Sequence, residues 1–180
     1  MNLVLGKGIN NIKGSSRTWQ YNMWYNMLKR CYANNIGDPS YVGCEVSEAF
    51  LTFSNFKYWL DIIGKPPEGW CLDKDLLGNG RLYSDSTCCF LPSIINLIFK
   101  KHICSNTGLL PGVSQQPGSG RFKAKRSMYG KTVCLGTYGT QEEAHQAYVL
   151  ATENYVHTLA DEYKDLLDVN VYDALKAYTI

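Results

Sequence analysis

Between residues 72 and 96 the chain reads LDKDLLGNGRLYSDSTCCFLPSIIN. Two carboxylates, Asp73 and Asp75, flank Lys74, and the segment closes on the carboxamide of Asn96. Gly78-Asn79 marks a turn after the acids, followed by Tyr83-Ser84 and the Cys88-Cys89 pair. Side chains of these types can move protons or hold cations. No histidine lies in the segment, so a base working there at neutral pH must be another residue. The same acids would also serve as turn residues of a purely structural hairpin, and the residues leave both readings open.

A second stretch carries charge rather than acid–base chemistry. From Ser86 to Gln141 there are seven Lys or Arg and no acid. From Glu142 onward there are eight acids and two lysines, although the net charge of the whole chain is only +2. Cations interleaved with aromatic residues, as in RFKAKRSMYGK, have the composition of a polyanion-binding face. The acids beyond, including Glu153, Asp161, Glu162, Asp165 and Asp168, form a solvated face or one for self-association or a basic partner.

Seven cysteines without a CxxC spacing, behind an opening MNLVLGKGINNIKG that lacks an export signal, read as reduced thiols in a cytosolic protein. Cys88, Cys89, His102 and Cys104 are the one set with zinc-ligand types close together. Adjacent cysteines hold one ion poorly, so no zinc is expected. No apolar run is long enough to cross a membrane, and no membrane partner is expected.

The elements that must position these residues follow from periodicity. RTWQYNMWYNMLKRCY (17–32) is an amphipathic helix behind a Ser15-Ser16 cap, and VSEAFLTFSNFKYWLDIIG is a second helix with an aromatic stripe ending at Gly64. WCLDKDLL reads as a strand, GNG as a tight turn, CCFLP as the returning strand, and PSIINLIFKKH as a helix with Pro92 in its first turn. A Gly/Pro/Ser-rich connector over 105–120 places a domain boundary near Asn106, giving domains 1–105 and 106–180. Downstream come three strands, GVSQQ, RFKAKRSMY and KTVCLGTY. A helix follows, opened by the Thr140/Glu143 capping box and carrying a small-residue face, and then a short helix in the tail. The fold class expected is α+β.

Gly112, Val113, Phe122, Ala124, Gly130, Lys131, Leu135, Gly136, Tyr138, Glu143, Ala144, Ala147 and Tyr148 stand in one register. In that register, residues 110–160 resemble the DNA-binding domain shared by plant Apetala/ethylene-response factors and phage homing endonucleases. The resemblance implies a three-stranded antiparallel sheet, packed on a helix, that lies in the major groove of double-stranded DNA. Arg121, Lys123, Lys125, Arg126, Tyr129 and Lys131 are then its DNA-binding residues.

Residues 17–100 resemble a phage HNH-type family, through Trp24–Tyr32, Tyr41–Val46, Phe53–Trp59, Leu72–Asp75, Gly78-Asn79, Tyr83–Cys88 and Asn96. The resemblance implies a helical domain around a ββα-metal hairpin–helix core, with Asp73 and Asn96 as ligands of Mg2+ or Mn2+. Lys74 stands where that family carries its histidine base, and Thr87 where it carries an asparagine that braces the loop. Either Asp75 or a Lys74 of lowered pKa would have to act as base, so the catalytic set is Asp73, Lys74, Asp75 and Asn96. Three activities remain open: a phage-type endonuclease that nicks or cuts DNA at a site chosen by the C-terminal sheet, a DNA-binding protein on a dead nuclease fold, and an inhibitor of a host protein. The resemblance implies the cytoplasm of an infected bacterial host.

Overall fold

Thr18 starts the first helix: its hydroxyl accepts the Tyr21 N–H at 3.2 Å, and α1 runs from Trp19 to Tyr32. Ser15, expected to cap, instead sits in a single 3-10 turn and donates its hydroxyl to the Ile12 carbonyl at 2.8 Å, which leaves no cap for α1 there. This computed structural model describes residues 3–33, 41–99 and 108–180. They fall into two units, Met1–Phe99 and Lys100–Ile180. The boundary expected near Asn106 lies outside the described residues, as do His102 and Cys104.

In the first unit α1 buries Trp24, Met27 and Leu28 against Phe50, Phe53, Phe56 and Leu60. The Trp24 indole N–H donates to the Phe50 carbonyl at 2.7 Å, so its one polar atom is satisfied inside the core. The stretch expected as one helix over 46–64 is two helices, α2 (Glu48–Leu51) and α3 (Phe53–Ile63), split at Thr52. The N-terminal segment causes the split. The Ile9 N–H donates to Leu51 O at 2.8 Å and Phe53 N–H to Ile9 O at 2.9 Å, holding Thr52 extended. Helix periodicity cannot register a pairing with residues so distant in sequence.

Two short sheets follow. β1 (Glu45–Val46) pairs in parallel with β3 (Leu82–Tyr83), and β2 (Trp70–Asp73) pairs antiparallel with β4 (Cys89–Pro92). Helix α4 (Ser93–Phe99) leaves β4 directly, with Pro92 as the last strand residue rather than in the helix. The strand expected to reach Leu77 stops at Asp73, and GNG is one bend in a long connection over 74–88 that includes β3, rather than the hairpin's closing turn. Leu72 and its partner Phe90 join the aromatic core. Strand alternation then turns Cys71, Asp73, Cys89 and Leu91 to the opposite face. There Cys71 Sγ lies 3.3 Å from Ser93 Oγ, at the start of α4.

The second unit is an antiparallel sheet in the order β5 (Val113–Gln115), β6 (Phe122–Met128), β7 (Lys131–Tyr138). Helix α5 (Gln141–Glu162) packs against it and α6 (Val169–Lys176) packs on α5. Both halves of the Thr140/Glu143 capping box form. β6 and β7 join through Tyr129-Gly130, with φ of 49° and 74°, the geometry of a two-residue hairpin turn whose twist matches the strands. A register shift between Ala124 and Lys125 bulges β7 at Leu135.

Gly112 sets how closely β5 approaches α5. Its φ is +77°, and a Cβ there would lie 2.1 Å from the Tyr148 ring. Gly112→Ala is therefore expected to destabilise the second unit by about 2–4 kcal/mol, since backbone strain and overpacking add. Thermal unfolding checks this, and a melting temperature unchanged from wild type would show that the strand need not lie so close.

Candidate functional site

Asp73 closes β2 by turning the chain. Its Oδ2 accepts the N–H groups of Asp75 and Leu76 at 2.8 and 2.9 Å. Its Oδ1 is buried and has no hydrogen-bond partner among the described residues. The residue is 2% exposed, and burial raises its carboxyl above the ordinary range, while the two backbone N–H groups pull it back. Asn96 lies one helical turn beyond Ser93 on α4 and is half-buried. Its side chain has no hydrogen-bond partner among the described residues.

Lys74 is buried. Its ammonium donates to Asp75 Oδ1 at 2.7 Å and stands 5.5 and 5.8 Å from the ring centres of Tyr83 and Tyr41. Burial works to lower its pKa, but the hydrogen bond and charge of Asp75 outweigh it and the net shift is upward. The lowered pKa that base catalysis by Lys74 requires is thus replaced by its opposite. Asp75 is the counter-ion of Lys74, with its side chain 39% exposed and Oδ2 left over.

Thr87 holds the loop. Its hydroxyl donates to the Leu82 carbonyl at 2.7 Å and accepts the Ser84 N–H at 3.0 Å. Gly78 lies against it: a Cβ on Gly78 would come 2.8 Å from Lys74 O and 3.0 Å from Thr87 Cβ. At Gly80, with φ +76°, a Cβ would reach Asp75 Oδ1 at 2.8 Å. The two glycines let the loop wrap the Lys74–Asp75 pair. Their part in the site was not read from the sequence, although the GNG triplet was its signal.

Among the described residues no three His, Cys, Asp or Glu side chains gather as a metal cage. The buried, unpartnered Oδ1 of Asp73 is a hard oxygen donor, and Asn96 supplies a carboxamide oxygen. By type, such oxygen donors suit an ion which keeps most of its shell as water or phosphate oxygen, as magnesium does. Of the zinc-type residues, Cys88 is buried and its thiol is pushed up to about 12 by that burial.

The pH dependence of the metal-free first unit follows from Asp73. The folded chain keeps the Asp73 proton to a higher pH than the unfolded chain does. Stability is therefore fully present below the unfolded carboxyl value of 3.8 and falls as pH rises towards the raised folded value. Denaturant titration between about pH 4 and pH 7 is expected to show wild type losing stability relative to Asp73→Asn. Parallel curves for the two proteins would mean that the buried carboxylate costs the fold nothing.

In the second unit the sheet sorts the basic residues. Strand register places Ser114, Lys123 and Thr137 in one row, Lys125 and Cys134 in the next, and Ser127 and Thr132 in the third. That is the face turned away from the side on which Ala124 and Ala144 are fully buried. Arg121, Lys125 and Lys131 are exposed and Lys123 is half-buried. Arg121 also donates to the Thr137 carbonyl at 3.1 Å.

Arg126 does not join that group. It is 7% exposed on the α5 side, donates to the Tyr148 hydroxyl at 3.1 Å, and lies 5.6 and 5.9 Å from the ring centres of Tyr148 and Tyr155. Delocalised guanidinium charge on two aromatic faces is a structural use of arginine. Tyr129 is also held by the helix: its N–H donates to the Tyr155 hydroxyl at 2.8 Å and its own hydroxyl bonds to Glu162.

Three of the acids named beyond the sheet have partners in the same unit. Asp161 binds Tyr172 and Lys176, Glu162 binds Tyr129, and Glu153 accepts the Ile180 N–H. Among the described residues no helix is long and apolar enough to cross a membrane. No protein-family model matches this chain, and no curated protein or solved structure matches it significantly.

Proposed function

We propose that this chain binds duplex DNA through the outer face of its β5–β7 sheet and nicks or cuts it at Asp73 in a metal-dependent reaction. The observation that carries the reading is the buried, unpartnered Oδ1 of Asp73, which accompanies a sheet face bearing Lys123 and Lys125. A buried carboxylate oxygen without a partner is costly unless a cation completes it. A three-stranded sheet with basic side chains on one face suits the major groove, where phosphates supply most of the affinity.

Asp73 Oδ1 and the Asn96 carboxamide would hold Mg2+ or Mn2+. When bound, such an ion stabilises charge on the scissile phosphate and the leaving oxygen. Lys74 stays protonated and takes no proton from water. With one oxygen on Lys74, Asp75 offers its other to the attacking water as base. Thr87 and Gly78 keep the loop closed over that pair.

A second reading rests on Asp73 Oδ2. Its two backbone bonds are those of a turn brace, which would serve a nuclease shape that binds without cutting. A plasmid-nicking assay in magnesium and in manganese separates the two. Relaxation of supercoiled DNA that stops on adding a chelator supports the nuclease. Intact plasmid, with salt-sensitive binding that the chelator leaves alone, rejects cutting in favour of the scaffold.

A further inference from the structure

A groove of about 650 Å3 runs beside β2 in the first unit. α1 contributes Trp19, Asn22, Asn26 and Arg30 to it, and the segment leading into β2 contributes Lys65 and Trp70. Asn22 and Asn26 are one helical turn apart, so their carboxamides project from the same strip of α1. Both are exposed and have no side-chain hydrogen-bond partner among the described residues. Arg30 extends the same strip by another turn, with its guanidinium 5.7 Å from the Tyr41 ring centre. Two cations, Arg30 and Lys65, stand in the lining against one acid, Glu68. The lining ends in sequence at Leu72, next to Asp73.

We propose that this groove receives one unpaired nucleotide of the bound DNA strand. The proposal rests on the DNA-binding reading above and names what the first unit holds while Asp73 acts. Two indoles offer stacking surface to a base of any sequence. Two adjacent carboxamides offer the paired donor and acceptor that a base edge presents. Arg30 and Lys65 balance phosphate charge. The volume lies within the range of about 300–1,000 Å3 typical of pockets for ligands of this size. An aliphatic ligand would cover the indoles but strand two carboxamides and two cations, a mismatch that desolvation penalises.

The test is an equilibrium binding measurement on the full chain with three duplexes: fully paired, with a single bulged adenosine, and with the same bulge lacking its base. A bulge has already met the cost of unpairing, so the adenosine duplex is expected to bind tighter than the paired one by about ten-fold or more. The abasic bulge should gain little. The double variant Asn22→Ala/Asn26→Ala, made on exposed positions, should lower the ratio of bulged to paired affinity several-fold, by loss of the amide contacts. Equal binding of the adenosine and abasic bulges, or a full preference kept by the variant, overturns the groove assignment. In either case tight binding of the paired duplex would leave the DNA-binding reading standing. Failure to bind any of the three overturns both.

Discussion

Replacing Asp73 with asparagine is expected to abolish metal-dependent nicking and to remove the rise in melting temperature expected of the wild-type protein in manganese. The substitution keeps the size of the side chain and an oxygen for the Asp75 and Leu76 N–H groups. It removes the charge from the buried oxygen that has no partner. Loss of a group that fixes charge stabilisation in the transition state costs on the order of 10²-fold or more in rate. At about one hundred times its dissociation constant a bound ion stabilises the fold by about 2.7 kcal/mol. That is a rise of several degrees for a unit of this size. In the absence of metal the order inverts, because the variant no longer buries a carboxylate. Unchanged nicking by Asp73→Asn would move the chemistry elsewhere. An unchanged manganese shift would move the ion.

Removing Lys123 and Lys125 together is expected to weaken duplex binding by one to two orders of magnitude at moderate salt, and to flatten its salt dependence by about two phosphate contacts. These residues stand in successive rows of the outer face, each free of an ion-pair partner among the described residues. Their loss leaves the sheet intact, because Ala124 and Arg126 on the other face make the packing contacts with α5. The matching control is Arg126→Ala, which removes a charge of the same sign from the buried side. Its expected effect is loss of thermal stability, with the salt slope of binding kept wherever the protein is folded. Anisotropy titrations over a range of salt concentrations measure both. If Lys123→Ala/Lys125→Ala kept the full slope, the sheet would not be the DNA-binding face.

Much of this architecture was legible in the residues. The alternation of RFKAKRSM marked β6, Gly130 fell between the strands it helps to join, and Thr140 with Glu143 announced the start of α5. These signals are local: strand period, turn chemistry and capping depend on neighbours a few positions away. The α+β class followed from them, as did the order of strand, strand and helix around Asp73 and Asn96.

What tertiary structure decided lies where distant groups compete for the same residue. Alternation put Arg126 beside Phe122 and Ala124, while its charge argued for the solvent face. Tyr148 and Tyr155 settle it by giving a guanidinium two aromatic faces and a hydroxyl to bond. Thr52 breaks a helix because Ile9 arrives from the N-terminal segment to claim its neighbours' backbone groups. Lys74 was a lysine that could have gone either way on exposure. In the fold it is buried beside Tyr41 and Tyr83, and its hydrogen bond to Asp75 outweighs that burial and shifts its pKa upward, away from the value a base needs. The sequence by itself determined which residues share a strand or a helix face, because those periods are properties of the backbone. Only the packed fold determined the partners of Lys74 and the unmet oxygen of Asp73, because both depend on burial and on contacts that no local pattern encodes.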